Sequence, residues 1–244
     1  MKPSEGRREG SPIAAALGLT LLLAVALIGT SQAETPDQDP SGPCDMLITG
    51  GMVIDGTGSR ARRLDILVRD GRVAWIGEEA PGDLSVQRII DAGGKYVTPG
   101  FIDAHSHGDP FETPDFENFL AMGVTTISLG QDGESPDVPN LAAWLDEFAE
   151  RGIGVNLAMF VGHGTLRSQS GIGRVPEPHP EALQRMLERL DADLDVCFGL
   201  SSGLEYNPGL NASSAELQAL AEVVGARNRL IMSHVRNEDD DQLA

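Results

Sequence analysis

The sequence holds only two cysteines, Cys44 and Cys197, among 244 residues. Two cysteines do not make a disulfide framework, and Cys197 sits in the apolar stretch "DVCFGL", where a buried free thiol is the expected outcome even if export would permit a bridge. Positive charge is also scarce: 18 lysines and arginines face 37 aspartates and glutamates, for a net charge of −19. The acidic residues are spread along the chain and do not form a tail, so the surface repels nucleic acid and such partners are excluded. No apolar run reaches the ~20 residues that a membrane-spanning helix needs. No "GxGxxG" turn follows any candidate strand, which argues against a doubly wound dinucleotide-binding sheet.

What is present fits a globular chain, with 41% hydrophobic residues. The N-terminus has its own character. Lys2, Arg7 and Arg8 precede a weakly polar run from Ile13 to Ile28, and "GTSQAET" follows, with Ser31 and Ala33 meeting the small-residue rule for cleavage. Residues 1–33 are therefore expected to be a signal peptide of bacterial type, removed on export to the periplasm or medium. No stable membrane span is expected to remain. Residues 34–44, rich in proline and acid, read as a linker.

Short β signals come next: "DMLITGG", "MVIDGTG", "LDILVRDGRVAWIG" and "RIIDAGGKYV". Asp70-Gly71 between two apolar runs is a strong hairpin signal. Residues 45–98 are expected to form an antiparallel sheet. After Pro99-Gly100 strands alternate with helices. Leu141, Trp144, Leu145 and Phe148 have helical spacing, as do Leu183, Met186, Leu187 and Leu190, and then Leu217, Leu220, Ala221 and Val224. "SSAE", Ser213 to Glu216, matches a capping box.

Between the helices lie five candidate strands, "FIDAHSH", "VTTISLGQ", "NLAMFVGH", "VCFGLSS" and "LIMSHVR", apolar enough for burial on both faces of a parallel sheet. Polar residues collect at their C-terminal ends, which meet at one mouth in a (β/α)8 barrel. The fold expected for residues 99–244 is thus α/β, an incomplete (β/α)8 barrel of about five βα units.

Five histidines occur, and two, His105 and His107, stand one residue apart after a short apolar run. Strand alternation sends both to one side. Later strand ends add His234 and a carboxylate, Asp132, and imidazoles with a carboxylate suit Zn2+ with a position left open for water. Asp103 and Asp109 flank the pair as candidates to orient a ring nitrogen. His179, in "PEPHPEA", reads as an exposed loop residue.

The stretch "VTPGFIDAHSHGD", preceded by "LITGGMVIDGTG" and "ILVRDGRVAWIG", resembles the amidohydrolase superfamily, metal-dependent barrels that carry a small β-sandwich. Within it, "GVTTISLGQDG", "FVGHGTLR", "GLSSGLEYNPG" and "SHVRNE" resemble the N-acyl-D-amino-acid deacylases, or D-aminoacylases. The resemblance implies hydrolysis of N-acylated D-amino acids by a metal-activated water, with one or two zinc ions. It implies that His105, His107 and His234 are metal ligands. Tyr206 then matches a tyrosine at the substrate site, and His163, which either lines the pocket or satisfies a backbone group, is placed with it as a candidate substrate-binding residue.

The family usually writes Gly-Asn-Cys-Gly after the second strand, with the cysteine as ligand. Here Gly130-Gln131-Asp132-Gly133 puts Asp132 in the cysteine's place, and a carboxylate is a competent ligand. The family's sixth-strand histidine and its aspartate general base are expected beyond Ala244, so no catalytic residue is assigned within the chain, and the chain alone is expected to be inactive. Two rivals stand beside the deacylase. One is a cyclic-amide hydrolase related to dihydropyrimidinase, whose metal-bridging lysine is missing from "VCFGLSSG"; the other is a non-catalytic remnant.

Overall fold

The computed structural model describes residues 40–237, and the chain divides into two compact units after Thr98. The expected signal peptide and most of the linker lie outside the described residues. Among those described, no helix is long and apolar enough to cross a membrane.

The first unit is one five-stranded sheet built from β1 (Cys44–Val53), β2 (Arg62–Arg69), β3 (Arg72–Gly77), β4 (Val86–Asp91) and the two-residue β5 (Tyr96–Val97). The β2–β3 hairpin turns at Asp70-Gly71, both with positive φ of 52° and 69°, as the two central positions of a type I′ turn require. "DMLITGG" and "MVIDGTG" are a single strand, β1, whose pairing with β2 shifts between Ile48 and Gly51. The buried Asp65 accepts hydrogen bonds there from the Thr49 hydroxyl and the Gly50 N–H. The expectation of an antiparallel sheet needs correction. Only β1–β2 and β2–β3 are antiparallel; β4 and β5 run parallel to β1. The order β3-β2-β1-β4 makes the chain cross two strands after Gly77, and a crossover of that kind delivers a parallel strand. The loop composition marks a break in either case. Val53, Leu64 and Ile66 form the core of this unit.

In the second unit five strands lie in one parallel sheet: β6 (Phe101–Asp103), β7 (Val124–Leu129), β8 (Asn156–Gly162), β9 (Gly199–Gly203) and β10 (Leu230–His234). Their spatial order is their sequence order, without the reversal of a doubly wound sheet. The arrangement is therefore an open arc of a (β/α) barrel. The helices are α1 (Glu117–Ala121), α2 (Leu141–Arg151), α3 (His163–Gln169), α4 (Pro180–Asp193) and α5 (Ser214–Ala226). Asn140 caps α2 by accepting from the Ala143 N–H, and Ser213 caps α5 by accepting from the Glu216 N–H.

The stripes on α2 and α4 pack as their spacing predicts, with Leu141 and Phe148 buried on the first and Met186 and Leu190 on the second. On α5 the buried line is Glu216, Leu220 and Val224, and Ala221 is exposed. Glu216 therefore does not complete a capping box. Its carboxylate is committed to the interior, where Arg167 and His163 meet it.

Candidate metal centre

β6 ends at Asp103, yet the chain stays beside β7 for three more residues, because the Ser106 N–H donates to the Ser128 carbonyl. Alternation continues through this segment. Ser106 is buried, while His105 and His107 on either side turn toward one carboxylate. Their Nε2 atoms lie 3.3 Å and 3.0 Å from Asp132 Oδ2. His105, His107 and Asp132 each offer a ligand atom within 4.8 Å of the others.

Asp132 reaches this point from the turn after β7. The turn has positive φ at Gly130, Asp132 and Gly133, and a Cβ at Gly130 would collide with the Phe160 carbonyl. Two side chains hold the turn, neither assigned a role from sequence. The buried Ser201 of β9 donates to the Gly130 carbonyl and accepts from the Gly133 N–H. Gln131 Nε2 donates to the carbonyls of Ala104 and Ser128 and to the Ser128 hydroxyl, joining the ends of β6 and β7. A serine in an apolar strand and a glutamine in a glycine turn give no sequence signal of such work, since their partners lie on other strands.

Asp132 Oδ1 is buried and has no hydrogen-bond partner. A buried carboxylate oxygen without a donor is costly, and a cation is the partner that this donor set of two imidazoles and a carboxylate suits. The residues present thus fit a divalent ion such as zinc.

His234, at the end of β10, stands next to this group. Its Nδ1 is 3.6 Å from Asp132 Oδ1 and its Nε2 is 2.9 Å from Glu205 Oε2. Three of the four expected ligands are therefore gathered, with the fourth facing the same aspartate. Tyr206 adjoins His234, its hydroxyl 3.4 Å from Nδ1, and lines a cleft with Asp132, Thr165 and Asn207. Glu205 directly precedes Tyr206, yet its partner His234 lies 29 residues on and no local pattern marks the contact.

His163 does not line the cleft. Its side chain is 0% exposed and Nε2 lies 2.7 Å from Glu216 Oε1, so its place is in the packing behind the mouth. It satisfies a carboxylate and not a backbone group. Burial alone would push the Glu216 carboxyl up; the hydrogen bond and charge of His163 and the Arg167 guanidinium outweigh this and hold it below the usual range. Asp103 and Asp109 do not orient ring nitrogens: Asp103 Oδ1 accepts from the His105 N–H and Asp109 Oδ1 from the Phe111 N–H, both as loop-shaping contacts. His179 is exposed, as its loop composition predicts.

An open barrel arc with two histidines and an aspartate converging at its mouth defines the class: an α/β half-barrel with a candidate metal centre. No family model matches the chain. It is 38% identical to N-acyl-D-glutamate deacylase of Alcaligenes xylosoxydans xylosoxydans over 223 residues, which are 80% of this chain and 44% of that protein. It is 30% identical to D-aminoacylase of the same organism over 232 residues, 85% of this chain and 47% of that protein. Among solved structures, N-acyl-D-glutamate deacylase from Bordetella bronchiseptica, complexed with zinc and a phosphonate mimic of the tetrahedral intermediate, matches with a TM-score of 0.76 and 38% identity, covering 82% of this chain and 47% of that one. The chain is a homologue of the D-aminoacylases and N-acyl-D-amino-acid deacylases of the amidohydrolase superfamily, and it spans about half the length of these relatives. Its half-barrel and small mixed sheet match part of the amidohydrolase barrel and β-sandwich.

Proposed function

We propose that the chain supplies the metal-binding portion of a zinc-dependent deacylase that hydrolyses the amide of N-acyl-D-amino acids. The observation that carries this reading is the convergence of His105 and His107 on Asp132, whose second oxygen is buried without a donor. His105, His107 and Asp132 would hold the ion, with His234 beside them. Zinc, when bound, supplies Lewis acidity, lowering the pKa of a water and polarising a carbonyl.

The chain's own residues do the rest of what can be assigned to it. Glu205, 2.9 Å from His234 Nε2, fixes the orientation of that ring. The Tyr206 hydroxyl, at the same mouth, is a donor for a carbonyl or carboxylate oxygen of the substrate. None of the carboxylates described here is assigned as general base. The proposal includes export to the periplasm or medium, supported by the basic residues and apolar run before Ala33. A mature N-terminus beginning after Ala33, read by mass spectrometry, is the expected result.

The test of function uses the gene product that carries this chain, purified with zinc and assayed on N-acetylated D- and L-amino acids. Hydrolysis of the D series, lost together with bound zinc in His105→Ala, is expected. Hydrolysis that survives both chelation and His105→Ala would overturn the assignment.

A further inference from the structure

Next to the His105–His107–Asp132 group lies a second cleft, of about 310 Å³, that shares His107 with it. Its apolar wall comes from Phe111, Leu129, Trp144 and Met159. The two aromatic residues are fixed against each other and against Phe148: ring centroids are 5.9 Å apart for Phe111 and Trp144, 4.6 Å for Phe111 and Phe148, and 4.5 Å for Trp144 and Phe148. Two carboxylates, Asp109 and Glu134, join the lining, with the uncharged polar Ser106, Gln131 and Ser135 between them, and no lysine or arginine among the described residues contributes to it. The Arg151 guanidinium stacks over the Phe111 ring 5.3 Å from its centroid and is paired with Glu147.

This lining selects between the two ends of an N-acyl amino acid. The amino-acid end always carries an α-carboxylate, which Asp109 and Glu134 repel with no lysine or arginine in the lining to offset them. The acyl end need carry no charge, and aromatic and thioether surface rewards its methylenes. The volume is also far more than the methyl of an acetyl group fills. Building on the deacylase reading, we propose that this cleft is the acyl subsite and that it takes uncharged acyl groups longer than acetyl, rejecting acyl groups that end in a carboxylate.

The subsite is tested by binding, independently of turnover. In a Trp75→Phe background Trp144 is the one remaining tryptophan of the chain's two, and its fluorescence is titrated with acetamide, butanamide, hexanamide and glutaramate. Each added methylene should tighten binding about fourfold until the cleft is filled. Glutaramate, close to hexanamide in length but ending in a carboxylate, should bind at least about tenfold more weakly. Glu134→Lys should narrow or reverse that gap without requiring any change in the aromatic wall. Affinity that does not depend on chain length, or glutaramate binding as tightly as hexanamide, would overturn the subsite. Length-dependent binding in a gene product that hydrolyses no N-acyl amino acid would remove the deacylase reading and leave the cleft's preference standing. Hydrolysis with flat binding would do the reverse.

Discussion

Arg167 and Glu216 form a buried two-point ion pair: Nη1 of the arginine lies 2.7 Å from Oε1 and 2.6 Å from Oε2 of the glutamate, with both side chains at or below 1% exposure. The arginine continues to the backbone, donating from Nε to the Gly173 carbonyl and from Nη2 to that of Val175. Helix α5, helix α3 and the loop after α3 are thus tied together by one ion pair, the glutamate from α5 and the guanidinium from α3 that also holds the loop carbonyls. Glu216→Gln would leave the guanidinium uncompensated, at a cost of about 3–5 kcal/mol. Urea unfolding should register this as a large fall in midpoint, and the double change Arg167→Met with Glu216→Leu should recover part of it.

The same pair sets a pH dependence. Because the folded-state pKa of Glu216 is held below its ordinary value, its contribution is fully present above the ordinary glutamate range and is lost as pH falls through the folded value. Urea midpoints should therefore decline below about pH 4. In Glu216→Gln this part of the acid sensitivity should vanish.

Asp132 can be examined without disturbing its turn. Its φ of 54° lies in the left-handed region, which asparagine adopts as readily as aspartate. Asp132→Asn should keep the fold and lose zinc, since a neutral amide does not offset the ion's charge; Asp132→Cys should retain zinc with altered affinity. Metal stoichiometry after dialysis decides the matter, and full occupancy in the Asn variant would make Asp132 a loop residue only.

Asp65 gives the first unit its own acid response. Burial would raise its carboxyl, but the N–H of Ala80, the hydroxyl of Thr49 and the N–H of Gly50 hold it below the usual aspartate value. Stability from this residue is present above the ordinary aspartate range and lost as pH falls through the folded value. Asp65→Ala leaves three donors without their acceptor and should cost about 2 kcal/mol or more. Trp75 fluorescence, followed with Trp144 replaced by Phe, isolates the unfolding of this unit.

Cys197 should be inert in the folded chain. Burial, with the negative charge of Asp193 adding to it, pushes its thiol up to about 12, so almost no thiolate exists at neutral pH. Both cysteines are free and buried. Thiol titration should find neither in native protein and both in urea.

How far the sequence reached depended on the range of the interaction concerned. The type I′ turn at Asp70-Gly71, the caps at Ser213 and the stripes on α2 and α4 follow from residues a few positions apart, and they read out directly. His105 and His107 belong to this group as well, because alternation is a local rule. His163 and Glu216 do not. They are 53 residues apart, and a glutamate after a serine at a helix start reads as half of a capping box until Arg167 is known to lie beneath it.

The alternation of strands and helices, the histidine pair and the acidic surface are legible in the chain's residues, since local periodicity and composition carry these. Long-range packing sets the rest: β4 and β5 run parallel to β1, His163 is packed behind the mouth, and Ser201 and Gln131 hold the turn presenting Asp132. In each case the deciding partner comes from another strand or helix. A buried polar group must find that partner wherever the fold puts it, and no local pattern records where that will be.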